Sequence, residues 1–88
     1  MFRVLVSSKP SKAIKGLDGK QKERIDRIVE VLGLNPWPAR DFDLSKIAGM
    51  EDCFRIRDGQ FRICYHVDTA SREITIYRIE RKGDTTYK

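Results

Sequence analysis

The sequence predicts a single small α+β domain, residues 1-88, in which an antiparallel sheet carries a helical hairpin on one face. The predicted element order is β-α-α-β-β-β. Three observations lead to it: an alternating apolar segment at the N-terminus, two amphipathic segments with helical spacing, and three alternating segments in the second half. A chain of 88 residues is long enough for one domain and too short for two.

The N-terminal half is predicted to contain one strand and two helices. Apolar residues occupy every second position from Phe2 to Val6, which is typical of a strand with one buried face. A short amphipathic helix then ends near Asp18-Gly19. The longer helix that follows ends before Asn35-Pro36, because a residue that precedes proline is pushed out of the helical region. The segment 37-50 is predicted to be an irregular connection.

The second half is predicted to be a β-hairpin followed by a strand over about residues 73-80. Asp58-Gly59 lies between two alternating segments, which is the strongest short-range indication of a hairpin. With these two residues as the loop, Arg55 lies opposite Arg62, and alternation places Arg57 on the same face. Like charges paired across strands destabilise a sheet by up to about 1 kcal/mol. We therefore interpret this face as a phosphate-binding surface rather than as a merely solvated one.

The composition of the chain favours a negatively charged partner and argues against a membrane span and a metal site. Lys and Arg total 18 against 13 Asp and Glu, which gives a net charge of +5 and suits a polyanion, either nucleic acid or an acidic protein. No apolar run approaches the roughly 20 residues of a membrane span. Cys53, Cys64 and the one histidine, His66, do not make a metal set, so no metal and no cofactor are expected. We expect a cytoplasmic protein with reduced thiols, in which Cys53 lies opposite Cys64 and His66 is a polar surface residue.

Four segments together resemble a known family. They are Leu44 to Gly49, Cys53 to Arg57, Gly59 to Tyr65, and the ending Ile79 to Tyr87. In this order and spacing they are similar to the signature of the RelE/ParE toxin superfamily, and the similarity covers nearly the whole chain. Members of the RelE branch are toxins of type II toxin–antitoxin systems that cleave mRNA in the ribosomal A site. The resemblance thus implies an endoribonuclease with mRNA, the ribosome with its rRNA, and a RelB-like antitoxin as partners.

The resemblance also implies roles for the arginines. Arg55 and Arg57 match basic residues that hold the mRNA backbone, and Arg62 matches the residue that contacts the scissile phosphate. Cleavage by the 2′-hydroxyl of the substrate needs no metal and no enzyme nucleophile. It needs the reacting groups held in line and negative charge stabilised on the phosphorane, which basic residues can do on a ribosome that fixes the mRNA.

The C-terminal segment is expected to bring Arg81 alongside the other three arginines, and it supplies the remaining site residues that the resemblance implies. Arg81 matches a phosphate-stabilising arginine, with Lys82 as the alternative at this position, and Tyr87 matches a tyrosine that stacks on a base or helps to activate the 2′-hydroxyl. Glu80 and Asp84 lie beside them and could either neutralise or orient the site. The alternative function is that of ParE-type toxins, which share the fold and inhibit DNA gyrase without being nucleases.

Overall fold

The structure, a computed structural model, describes residues 1–81. Two helices lie on one face of a five-stranded sheet, which confirms the predicted α+β class and the single layer of helices. The strand order in the sheet is β1-β5-β4-β3-β2. The elements are β1 (Arg3–Val6), α1 (Ser8–Lys15), α2 (Gly19–Leu34), β2 (Asp43–Lys46), β3 (Cys53–Asp58), β4 (Phe61–Asp68) and β5 (Glu73–Arg81).

The sheet differs from the prediction in two respects. It is mixed, because β1 pairs in parallel with β5, whereas the other strands are antiparallel. The segment predicted to be irregular contains an additional strand, β2, which pairs with β3 at the sheet edge. The first feature arises from pairing between the two ends of the described chain, and the second from pairing between neighbouring segments. The helices carry the chain from β1 at one edge to β2 at the other, and the antiparallel strands β2 to β5 then return to β1.

Two hydrogen bonds between Asp18 and Gln21 cap the start of α2. The Asp18 carboxylate accepts a hydrogen bond from the Gln21 backbone N–H at 2.8 Å, and the Gln21 side chain accepts one from the Asp18 N–H at 3.2 Å. This capping box satisfies two backbone donors that a helix otherwise leaves without partners. No helix within residues 1–81 combines the length and the apolar character needed to cross a membrane.

The core lies between α2 and the inner face of the sheet. Tyr65 is fully buried there, and its hydroxyl donates a hydrogen bond of 2.7 Å to the Pro36 carbonyl, which attaches the segment after α2 to the central strand. Burial raises the pKa of the Tyr65 hydroxyl well above its ordinary value. The other buried core residues are Ile25, Ile28, Leu32, Ile56, Phe61, Ile63, Val67, Ile74 and Ile76.

The hairpin turns one residue later than predicted. Asp58 pairs with Phe61, so the two loop residues are Gly59 and Gln60. Gly59 has a φ of +61°, which favours glycine, and a Cβ there would collide with the Arg24 guanidinium. The Arg24 Nε lies 3.7 Å from the Asp58 carboxylate, so α2 supports the end of the strand that was predicted to be loop.

This shift of the turn changes which residues pair across β3 and β4, but it does not change the face of the sheet on which each side chain lies. The register moves by two residues in total, so each side chain stays on its predicted side of the sheet. Arg57, not Arg55, lies opposite Arg62, and Arg55 lies opposite Cys64. Cys53 lies opposite His66 and not opposite Cys64.

Candidate nucleic-acid interface

The outer face of the sheet, opposite the helices, brings together Arg55, Arg57 and Arg62, which we call the arginine face. Arg57 and Arg62 are direct partners across β3 and β4. The same row continues to Asp43 on β2 and to Glu80 on β5. Neighbouring strands are about 4.8 Å apart, so this row places two arginines side by side between two carboxylates. Sequence reasoning missed Asp43, because its segment was predicted to be irregular, and it placed Glu80 beside Arg81 without showing that Glu80 lies opposite Arg62.

The next row adds a fourth arginine. Arg55 lies between Ser45 and Cys64, and Cys64 pairs with Arg78 on β5. This row holds two arginines and no acid, and it lies about 7 Å along the strands from the first row. Arg57 and Arg78 are exposed, whereas Arg55 is half-buried. The arrangement offers a polyanion several guanidinium groups on one open surface.

Arg55, Arg57 and Arg62 form no ion pair within residues 1–81. The fourth arginine of the outer face, Arg78, is paired with Glu80. The Nε of Arg55 is buried and has no hydrogen-bond partner in this part of the chain. A buried donor without a partner costs about 1–3 kcal/mol. Arg55 therefore occupies a position that stability alone does not favour.

A β-bulge in β5 determines which of its side chains reach this face. Tyr65 pairs with Ile76, but Cys64 pairs with Arg78, so Tyr77 is an additional residue at this point. Tyr77 lies beside Cys53: burial and this neighbouring thiol raise the pKa of Tyr77 to about 12. The tyrosine is therefore neutral at physiological pH and acts as a hydrogen-bonding group on the face.

The two cysteines are free and buried. Cys64 is 7% exposed, and burial raises its pKa, although the nearby Arg55 acts in the opposite direction. A thiol that remains protonated is a poor nucleophile. The cysteines thus contribute buried, uncharged side chains to the face of the sheet that carries the arginines.

The structure does not bring Arg81 onto the arginine face. Arg81 pairs with Phe61, a core residue, and lines a pocket with Ala13 and Leu17 on the helical side of the sheet. The expectation that Arg81 lies alongside the other three arginines is therefore wrong for this structure. Lys82 and Tyr87 lie outside the described residues. His66, expected at the surface, is half-buried beside Cys53.

Comparison with solved structures defines the class: this is the fold of RelE-type toxins. RelE in the RelE–RelB complex of Pyrococcus horikoshii OT3 matches with a TM-score of 0.84 and 27% identity, over 93% of this chain and 96% of that one. The isolated Escherichia coli RelE toxin matches with a TM-score of 0.77 over 92% of this chain and 84% of that one. At 16% identity, that similarity shows the fold alone.

Sequence comparison gives the family. A protein of Methanocaldococcus jannaschii named as a candidate toxin, RelE1, is 31% identical over 81 residues, which is 92% of this chain and 90% of the relative. No family model matches the sequence. The chain belongs to the RelE toxin family.

Proposed function

We propose that this protein is the toxin of a type II toxin–antitoxin system and that it cleaves mRNA in the ribosomal A site. The observation that carries the proposal is the arginine face, where Arg57 and Arg62 lie directly opposite each other and Arg55 lies one row away. These arginines are not engaged in ion pairs within residues 1–81, so their charge is available to phosphate groups. Membership of the RelE family supports the same proposal.

In the proposed reaction the substrate supplies its own nucleophile. The ribosome holds the mRNA, and Arg55 and Arg57 bind the phosphates on either side of the scissile bond. Arg62 lies in the middle of the row and stabilises the negative charge that develops on the phosphorane. Planar guanidinium groups suit this task because they bind two phosphate oxygens at once. No metal takes part in this proposal.

The C-terminal residues complete the proposed site. Arg81 ends β5 on the helical side of the sheet, so its proposed role rests on the family resemblance alone. Either Arg81 or Lys82 stabilises charge, and Tyr87 stacks on a base or helps to activate the 2′-hydroxyl. These roles come from the family resemblance.

We propose a RelB-like antitoxin as the second partner. The RelE of P. horikoshii was solved with RelB, and it shares the fold over 93% of this chain. The net charge of +5 suits an acidic partner, which would compete with RNA for the arginine face. Because the proposed substrate is ribosome-bound mRNA, the site of action is the cytoplasm.

The test is cleavage of mRNA on a programmed ribosome by the purified protein. We expect Arg62→Ala to lower the cleavage rate by about 10²–10³, the usual effect of removing one charge-stabilising donor. Arg3→Ala is the matched control, because Arg3 is an exposed arginine on β1, paired with Glu73 and remote from the arginine face. Undiminished toxicity of the Arg62→Ala, Arg81→Ala double variant in cells would refute the assigned site.

A supercoiling assay separates this proposal from the ParE-type alternative. We expect no inhibition of purified DNA gyrase at concentrations that cleave mRNA on the ribosome. Gyrase inhibition without any mRNA cleavage would reverse the conclusion.

A further inference from the structure

Among residues 1–81 no group has yet been assigned to remove the proton of the 2′-hydroxyl, and Glu80 occupies a suitable position. It lies on β5 directly opposite Arg62 on β4. Side chains paired in this way have their Cβ atoms about 5 Å apart, so a carboxylate and a guanidinium group can contact the same nucleotide. Glu80 is exposed, so it is accessible to a substrate on the outer face.

Arg78 holds the Glu80 carboxylate in place. Its Nη2 lies 2.9 Å from one oxygen of Glu80, Oε2. Both side chains are well exposed, at 62% and 45%, and an ion pair of this kind contributes little to stability. In this structure the contact orients one carboxylate oxygen beside the row that contains Arg62.

Asp43, the other acid of that row, is placed less favourably. It lies on the edge strand β2 opposite Arg57, two strands away from Arg62. Within residues 1–81 it forms no ion pair that would orient it. The two acids thus contribute similar charge to the row but differ in their distance from the proposed scissile phosphate.

We propose that Glu80 is the general base of the cleavage reaction and that Arg78 is its positioning residue. The Glu80 carboxylate takes the proton of the 2′-hydroxyl while the 2′-oxygen forms a bond to phosphorus. The bond from phosphorus to the 5′-oxygen breaks, and that oxygen takes a proton from water. The products are a 2′,3′-cyclic phosphate and a 5′-hydroxyl, and Glu80 then returns its proton to the solvent. Arg62 stabilises the charge on the phosphorane throughout.

This inference rests on the proposed function, and one experiment tests both. Single-turnover cleavage on a programmed ribosome is measured for the wild type, Glu80→Gln and Asp43→Asn between about pH 6 and about pH 8.5. The wild-type rate is expected to change little across this range. Glu80→Gln should be slower by about 10²–10⁴ at neutral pH, and its rate should rise with pH as hydroxide replaces the missing base.

The control variant and the pH profile decide the outcome. Asp43→Asn removes a carboxylate from the same row and should cleave within about threefold of the wild type. A Glu80→Gln variant that melts like the wild type and cleaves at the wild-type rate would overturn the inference. So would a uniform loss of rate with an unchanged pH profile, because that indicates a structural role. If the wild-type protein does not cleave mRNA on the ribosome, the proposed function itself fails.

Discussion

Arg55 provides a test of whether an arginine that serves RNA binding lowers the stability of the folded protein. Its Nε is buried without a hydrogen-bond partner in residues 1–81, and its row neighbours are Ser45 and Cys64. We expect Arg55→Met to make the protein more stable and to slow mRNA cleavage. Methionine keeps an unbranched stem over the sheet and removes the buried donor together with the charge.

The magnitude follows from the cost of the unpaired donor. Leaving such a group buried costs about 1–3 kcal/mol, and part of the gain is offset by lost contacts of the guanidinium plane. A net stabilisation of about 1 kcal/mol is expected, which in a domain of this size raises Tm by about 4–8 °C. Loss of one phosphate contact should also make RNA binding less sensitive to salt. The slope of the logarithm of the binding constant against the logarithm of the salt concentration should fall in magnitude by about one.

Arg57→Met is the matched control, since it removes the same charge from an exposed side chain on the same strand. It should leave stability within about 0.5 kcal/mol of the wild type. The measurements are urea and thermal unfolding followed by circular dichroism, and cleavage on the programmed ribosome. A lower Tm for Arg55→Met, or equal stability changes in the two variants, would refute the reasoning.

Three further predictions concern the groups beneath and beside the arginine face. Tyr65→Phe removes the hydrogen bond to the buried Pro36 carbonyl and should lower the free energy of unfolding in urea by about 1–3 kcal/mol. An unchanged free energy of unfolding would show that this hydrogen bond does not stabilise the protein. The pKa of Tyr77 is raised to about 12, so the unfolded chain loses this proton first and stability falls as pH rises from about 10. Tyr77→Phe should make that alkaline decline shallower, and an unchanged decline would contradict the assignment. Cys53 and Cys64 are buried, so a thiol reagent should modify them only as fast as the protein opens, and rapid labelling of the native state would disprove their burial.

The faces of the hairpin could be predicted from the sequence because alternation is a local property. Each strand residue points to the side opposite its neighbours, so Arg55 and Arg57 had to share a face whatever their partners. The pairing partners could not be predicted in the same way. The contact between Arg24 and Asp58 extends β3 by one residue, and it joins a helix to a strand that lies more than 30 residues later.

The pairing of the two edge strands, β1 and β2, could not be predicted from the sequence either. The β2 segment contains one apolar residue, Leu44, between Asp43 and Ser45, and it becomes a strand because β3 offers it a partner. The parallel pairing of β1 with β5 joins the two ends of the described chain. Periodicity within a segment carries no information about either choice.

The bulge at Tyr77 shows how one residue sets the chemistry of the arginine face. Ile76 points into the core, so strict alternation would have turned Glu80 toward the helices and Arg81 toward Arg62, as expected from the sequence. The additional residue reverses this order for the rest of β5 and places Glu80 opposite Arg62 instead. Bulges commonly redirect side chains next to active sites. Here the redirection supplies a carboxylate beside a cluster of guanidinium groups, which is the combination that proton removal and phosphate stabilisation require together.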